Sequence, residues 1–222
     1  MNWIQTRHWI AFSLEEPRVE DVHIHDIAHA LAHLCRFNGH TRTFYSVAEH
    51  SVRCSYIVDC DFALDALLHD AAESYIGDVS SPLKLALGPA WSELEERVAS
   101  VVAEAFGLLW PIPRCVHAAD QRMLATEVRD LLGRKLDGFT ILAEPLDGTI
   151  CDPWSPSLAA FNFLNRFLEL TEGAKDSQAA TSSSLPLVRK FQDHKQGSED
   201  LIERLAAKNS LREQRLREHR SA

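Results

Sequence analysis

At 222 residues with 45% hydrophobic side chains, the chain is long enough to bury one sizeable core. Its apolar runs fall far short of the ~18–20 residues that span a bilayer. A formal charge of −9 argues against broad binding to nucleic acid, which needs a cationic surface to displace counterions from phosphates.

A small anionic ligand stays compatible with that charge, because exposed charges are screened beyond ~8–10 Å and a few cations at a pocket mouth can dominate locally. The opening MNWIQTRHWIAF has neither the basic region nor the small-residue cleavage site of a signal peptide. Five scattered cysteines, Cys35, Cys54, Cys60, Cys115 and Cys151, never fall in a CxxC spacing and read as reduced thiols. A cytoplasmic protein without a membrane partner is expected.

In chain order, helix signals recur and convincing alternating strands do not. DIAHALAHLCRF places Ile27, Leu31 and Leu34 at helical spacing, and SVAEHSVRCSYIV opens with a Ser46/Glu49 capping box. Residues 61–75 predict a third helix. PAWSELEERVASVVAEAFG carries Leu94, Val98, Val101, Val102 and Ala105 on one face and stops at Gly107, as a helix C-terminus favours. RCVHAADQRMLATEVRDLLG repeats the plan, and SPSLAAFNFLNRFLELTEG starts with Ser155 as cap and Pro156 in the first turn. The sum is an all-α bundle of about six helices over residues 1–172. Beyond Gly173 the texture changes to a polar linker and a charged, partly helical extension over 173–222. There 10 Lys/Arg face 7 Asp/Glu, leaving −12 on residues 1–172.

The third helix raises the chemical question. LDALLHDAAESYIGD, residues 64–78, sets His69 beside Asp70 with Glu73 one turn on, among Leu67, Leu68, Ala71 and Ala72. At ~0°, ~100° and ~40° around a helix axis the three share one face. That face would otherwise be packed, and an unpaired buried carboxylate costs several kcal/mol unless a cation compensates. Apart from Arg53, this helix and the one before it offer no obvious buried cation, so a divalent metal is the better candidate. His50, on the Val47 face and one turn before Cys54, and Asp120, interrupting the stripe Val116–Met123–Leu124, are further donors on otherwise apolar faces. Two imidazoles and two carboxylates suit Mn, Fe, Co, Ni or Zn rather than a thiolate zinc site, and leave coordination positions for water and substrate.

In this order, His50, His69–Asp70 and Asp120, the residues resemble the H…HD…D signature of HD-domain metal-dependent phosphohydrolases. CRFNGH, FYSVAEHS, LLHDAAESYIGD and SSPLK are similar to its deoxynucleotide-hydrolysing branch, the 5'-deoxynucleotidases and phage-type dATP triphosphohydrolases. The likeness covers residues ~3–171. It implies an HD-domain bundle with one divalent transition metal on His50, His69, Asp70 and Asp120, and Glu73 as general acid/base. Arg36 and Lys84 match its phosphate-binding positions. Asp78 matches a residue that contacts the sugar 3'-hydroxyl and crowds a ribose 2'-hydroxyl, Phe37 would stack on base or sugar, and His117 would face the outer phosphates. Gly39 departs from the bulky residue carried here by some dATP-specific relatives.

Plainer readings stand beside these: Glu73 as a surface charge, Asp78 as a turn residue, Phe37 as a core aromatic. His25, His29 and His33 recur every four residues, but no acidic partner is organised around them as in HExxH. The expected activity is dNTP triphosphohydrolysis, with a dNMP 5'-nucleotidase next and a catalytically idle nucleotide-sensing module as the reading from another class. A homo-oligomer is expected.

Overall fold

The computed structural model describes residues 2–133, 143–148, 150 and 152–172. The linker and charged extension expected over 173–222 lie outside the described residues, as does Cys151. The fold is all-α, with one short hairpin at its start.

Strands β1 (Trp3–Gln5) and β2 (Ala11–Ser13) pair antiparallel, with Ile4 opposite Phe12. Strands were not expected here, because three residues per strand are too few to register as alternation. Tertiary packing fixes the hairpin: Phe12 is fully buried and its ring stacks on Tyr75 at 3.8 Å.

Helix α1 (Ile24–His33) buries Ile27, Ala28, Leu31 and Ala32. The expected helical stretch through Phe37 does not form. Leu34 turns extended, Cys35 bridges Ser46, and Arg36 N donates to Tyr45 O at 3.0 Å. A 3-10 segment follows over Arg36–Gly39, with Phe37 (φ 54°) and Asn38 (φ 51°) both left-handed. Asn enters that region readily, whereas Phe does so at a cost.

Helix α2 (Val47–Ile57) begins as its cap predicts, Glu49 N donating to Ser46 Oγ at 3.1 Å. Only half of the capping box forms. The Glu49 carboxylate accepts from Arg53 and from Trp154 N, so it ties the start of the last helix to α2.

The single helix expected over 61–75 is two. Helix α3 (Ala63–Leu68) and helix α4 (Glu73–Ile76) flank a turn in which Ala71 N donates to Leu68 O and Glu73 N to Asp70 O, both at 3.0 Å. These three-residue bonds tighten the backbone at His69–Ala72, as 3-10 turns do. Helix α5 (Ser81–Leu87), not anticipated as a helix, lies on α6 (Pro89–Phe106). Helix α6 ends as expected at left-handed Gly107, where Leu108 N reaches back to Ala103 O at 2.8 Å. Helix α7 (Arg114–Glu127) continues through a π turn to Leu132, and α8 (Pro156–Glu172) starts at its Ser155 cap, Leu158 N donating to Ser155 Oγ at 3.4 Å.

Two buried clusters form the core. The larger joins α1, α2, α3, α6 and α8 with Phe12; the smaller gathers Tyr45, Cys54, Ala66, Val116, Met123, Leu131 and Ile150. Among the described residues no helix is long and apolar enough to cross a membrane.

Candidate metal centre

The four donors singled out in the sequence converge where α2, the turn after α3, and α7 meet. His50 Nε2 lies 3.6 Å from Asp70 Oδ2 and 3.2 Å from Asp120 Oδ1; His69 Nε2 lies 3.3 Å and 3.9 Å from the same two oxygens. Ligand bonds of ~2.0–2.2 Å around one ion place neighbouring donor atoms roughly 3–3.6 Å apart, so these four histidine–aspartate separations match to within a few tenths of an ångström. His69 Nδ1 is hydrogen-bonded to Ala66 O at 2.8 Å, which directs Nε2 into the cage. That Nε2 is buried and has no hydrogen-bond partner. An inward-facing ring nitrogen without a partner is what a metal ligand requires before the ion arrives. The donors therefore fit a divalent cation.

Cys54 is a neighbour the sequence reading left among the plain thiols. It follows His50 by one turn, its Sγ is 3.4 Å from His50 Nε2, and donor atoms of His50, Cys54 and His69 lie within 4.8 Å of one another. Burial pushes the Cys54 thiol up.

Glu127 was missed as a site residue altogether. It is fully buried, and its Oε1 sits 2.6 Å from His50 Nδ1 and accepts from Tyr45 Oη at 2.9 Å, while Oε2 accepts from Arg36 Nε at 3.1 Å. Seven residues after Asp120, it stands two turns along the same face of α7. That spacing was the available signal, and its partner Arg36 is 91 residues away in sequence.

The electrostatics are one-sided. Arg36 is mostly buried, with Nη1 3.6 Å from Asp70 Oδ2. Burial disfavours its charge, but Glu127, Asp70, Asp120 and Asp78 more than offset that. For His50, burial and Arg36 oppose protonation, yet Cys54 and the carboxylates of Glu127 and Asp120 hold the metal-free imidazole well above its ordinary value. Asp120 is partly desolvated, but its bond to His50 keeps its carboxyl below the ordinary range.

Glu73 opens α4 and is 8% exposed, so the surface-charge reading does not hold. Burial, then the charges of Asp70 and Asp78, raise its carboxyl well above the ordinary carboxylate range. Asp78 is likewise raised, by burial first and then Asp70, against Arg36. Lys84 on α5 is half-buried and donates to Glu95 Oε1 at 2.5 Å. It feels Glu73 and Asp70 as well. Phe37 is half-buried beneath Arg36, whose Cζ lies 5.6 Å from the ring centroid. His117 is exposed on α7, and Gly39 has φ 77°, where a Cβ would meet Cys35 Cβ at 3.9 Å, an ordinary contact.

The other histidines stand apart. His8 Nδ1 and Asp26 Oδ1 are 2.7 Å apart, His29 Nδ1 faces Arg7 Nη1 at 2.5 Å, and His33 Nδ1 bonds to His29 O. His29 thus presents one ring nitrogen to a cation, which works against a metal pair there.

No family model matches the chain. An uncharacterized protein of Rhodobacter capsulatus is 38% identical over 133 residues, covering 54% of this chain and 68% of that protein. The uncharacterized protein YfdR of Escherichia coli (strain K12) is 39% identical over 175 residues, covering 78% of this chain and 97% of YfdR. Identity and coverage at that level show that the chain belongs to the same protein family as YfdR.

Proposed function

We propose that the chain is an HD-type metal-dependent phosphohydrolase acting on deoxynucleotides, with dNTPs of the dATP kind as substrates and triphosphate as product. The observation that carries this reading is the convergence of His50, His69, Asp70 and Asp120 at 3.2–3.9 Å around the unpartnered His69 Nε2. A bound divalent ion there would supply Lewis-acid polarisation of a phosphoryl oxygen.

The chain's own groups do the rest. Arg36, clamped between Glu127 and Asp70, is a fixed positive charge for a phosphate, and Lys84 is a second that must exchange Glu95 for it. Water attacks the α-phosphorus as the bond to the 5'-oxygen breaks. Glu73, whose carboxyl pKa is raised by burial and by Asp70, gives its proton to that departing oxygen and takes up the proton that the attacking water loses. Asp78, near Arg36, addresses the sugar.

Purified protein loaded with Mn, Co or Zn, incubated with each dNMP and dNTP and resolved by chromatography, tests the reading. Deoxyadenosine and triphosphate from dATP are expected. Orthophosphate from dNMPs with dNTPs untouched would make it a 5'-deoxynucleotidase; nucleotide binding without turnover of either would make it an idle sensing module.

A further inference from the structure

We propose that Glu127 is the positioning residue of this centre, a single carboxylate that sets the tautomer of His50 and the place of the Arg36 guanidinium together. The inference rests on the metal-dependent reading above and extends it to a residue outside the ligand set. His50 has two ring nitrogens, and Nε2 is the one that faces Asp70 and Asp120. To ligate through Nε2, the neutral ring must carry its proton on Nδ1. Glu127 Oε1, 2.6 Å from Nδ1, accepts that proton's hydrogen bond and leaves the Nε2 lone pair pointing into the cage.

The second oxygen does different work. Oε2 accepts from Arg36 Nε, while Arg36 Nη1 reaches toward Asp70. Tyr45 Oη donates to Oε1 and keeps the carboxylate from rotating. All of this sits in a region where Glu127, His50 and Tyr45 are fully buried, so no water can replace a lost partner cheaply. Arg36 emerges from a non-helical bridge before two left-handed residues, so its direction depends on what it bonds. Glu127 is that anchor.

A glutamine at this position keeps the shape and changes the chemistry. Its amide NH2 must point at either His50 or Arg36. Facing Arg36 Nε it opposes donor to donor and leaves His50 Nδ1 only a neutral amide oxygen in place of a carboxylate, which weakens the ligand; facing His50 it forces Nδ1 to accept, which places the proton on Nε2 and removes the ligand.

The test measures metal affinity by chelator competition with Co(II) for wild type, Glu127→Gln, Tyr45→Phe and Asp120→Ala, each checked for folding by circular dichroism. Glu127→Gln is expected to weaken Co(II) binding roughly 10–100-fold, as loss of a partner to a ligating histidine does, and Tyr45→Phe by less than about threefold. Asp120→Ala reports on the underlying reading: it should lose the metal outright. Tight binding by wild type and loss in Asp120→Ala, with Glu127→Gln unchanged, would overturn the role of Glu127 alone. No binding by wild type would instead overturn the metal centre and this proposal with it.

Should Glu127→Gln fail to fold, Glu127→Asp carries the test. One methylene shorter, it cannot span His50 and Arg36 at once, so the Co(II) Kd must still rise at least about threefold. An unchanged Kd sinks the proposal.

Discussion

His69 and Asp70 are adjacent residues with opposite needs. The imidazole is held from behind by Ala66 O and presents a bare nitrogen, while the carboxylate faces His50, His69 and Arg36. Replacing either by Ala removes a donor and leaves the others mismatched. Both variants are expected to lose metal and turnover together, by elemental analysis and product assay, and full occupancy in either would reassign the centre. Cys54 gives a sharper check on the ligand set. His50 Nε2 is nearer to Asp120 Oδ1 than to the thiol, and four nitrogen and oxygen donors already converge. Cys54→Ser should therefore retain metal, and the Co(II) protein should show no sulfur-to-cobalt charge-transfer band; such a band, lost in Cys54→Ser, would bring the thiol into the coordination sphere. Glu73→Gln should keep metal content and nucleotide affinity while lowering kcat roughly 10²–10⁴-fold, the range of general acid/base groups. A rate within threefold of wild type would end that role. The meeting of His50, His69, Asp70 and Asp120 was legible because charged residues on apolar helix faces demand an explanation. Glu127 was not: it faces other side chains instead of a ligand, and its partner Arg36 is close only after folding.

Helix boundaries were readable wherever a cap fixes them. Ser46, Gly107 and Ser155 stop or start their helices through the expected bonds to Glu49 N, from Leu108 N and to Leu158 N. Besides the unanticipated α5, three places departed, each because a tertiary contact outweighed local preference. The hairpin is held by Phe12 on Tyr75, Cys35 is drawn into a bridge with Ser46, and the helix over 61–75 tightens where His69 and Asp70 meet α2 and α7. On the proposed function, the contact between α5 and α6 bears on substrate binding. Lys84 on α5 is paired with Glu95 on α6, so a phosphate reaching Lys84 competes with a carboxylate. Both side chains are about one-third exposed, so solvent screens the pair. Glu95→Gln should free the ammonium and lower KM for the nucleotide by about two- to fivefold with kcat little changed, the mark of binding shared by ground and transition states. A raised KM would mean that Glu95 instead holds Lys84 in its working position.

At the scale of the molecule, the centre lies where α2, the turn after α3, and α7 join the two core clusters, so its charge state is coupled to folding. Without an ion, Asp70, Asp120 and Glu127 face Arg36 and an imidazole that Cys54, Glu127 and Asp120 hold above its ordinary pKa. An ion that binds the folded cage and not the unfolded chain adds stability by mass action, about 2.7 kcal/mol at a free concentration one hundred times its Kd. For a domain of this size each kcal/mol moves Tm by about 2–4 °C, so loading should raise Tm by roughly 5–10 °C. Stripping with a chelator should reverse the change. Asp120→Ala separates this linkage from a general salt effect: Asp120 remains partly exposed at 27%, so its truncation leaves the core filled while removing one donor and most of the ion-dependent rise. Scanning calorimetry of wild type and Asp120→Ala, each with and without Mn, Co or Zn, reads the difference directly. An equal rise in both proteins would place the stabilising ion elsewhere on the surface, and no rise in wild type at saturating ion would remove the metal from the folded state's energetics.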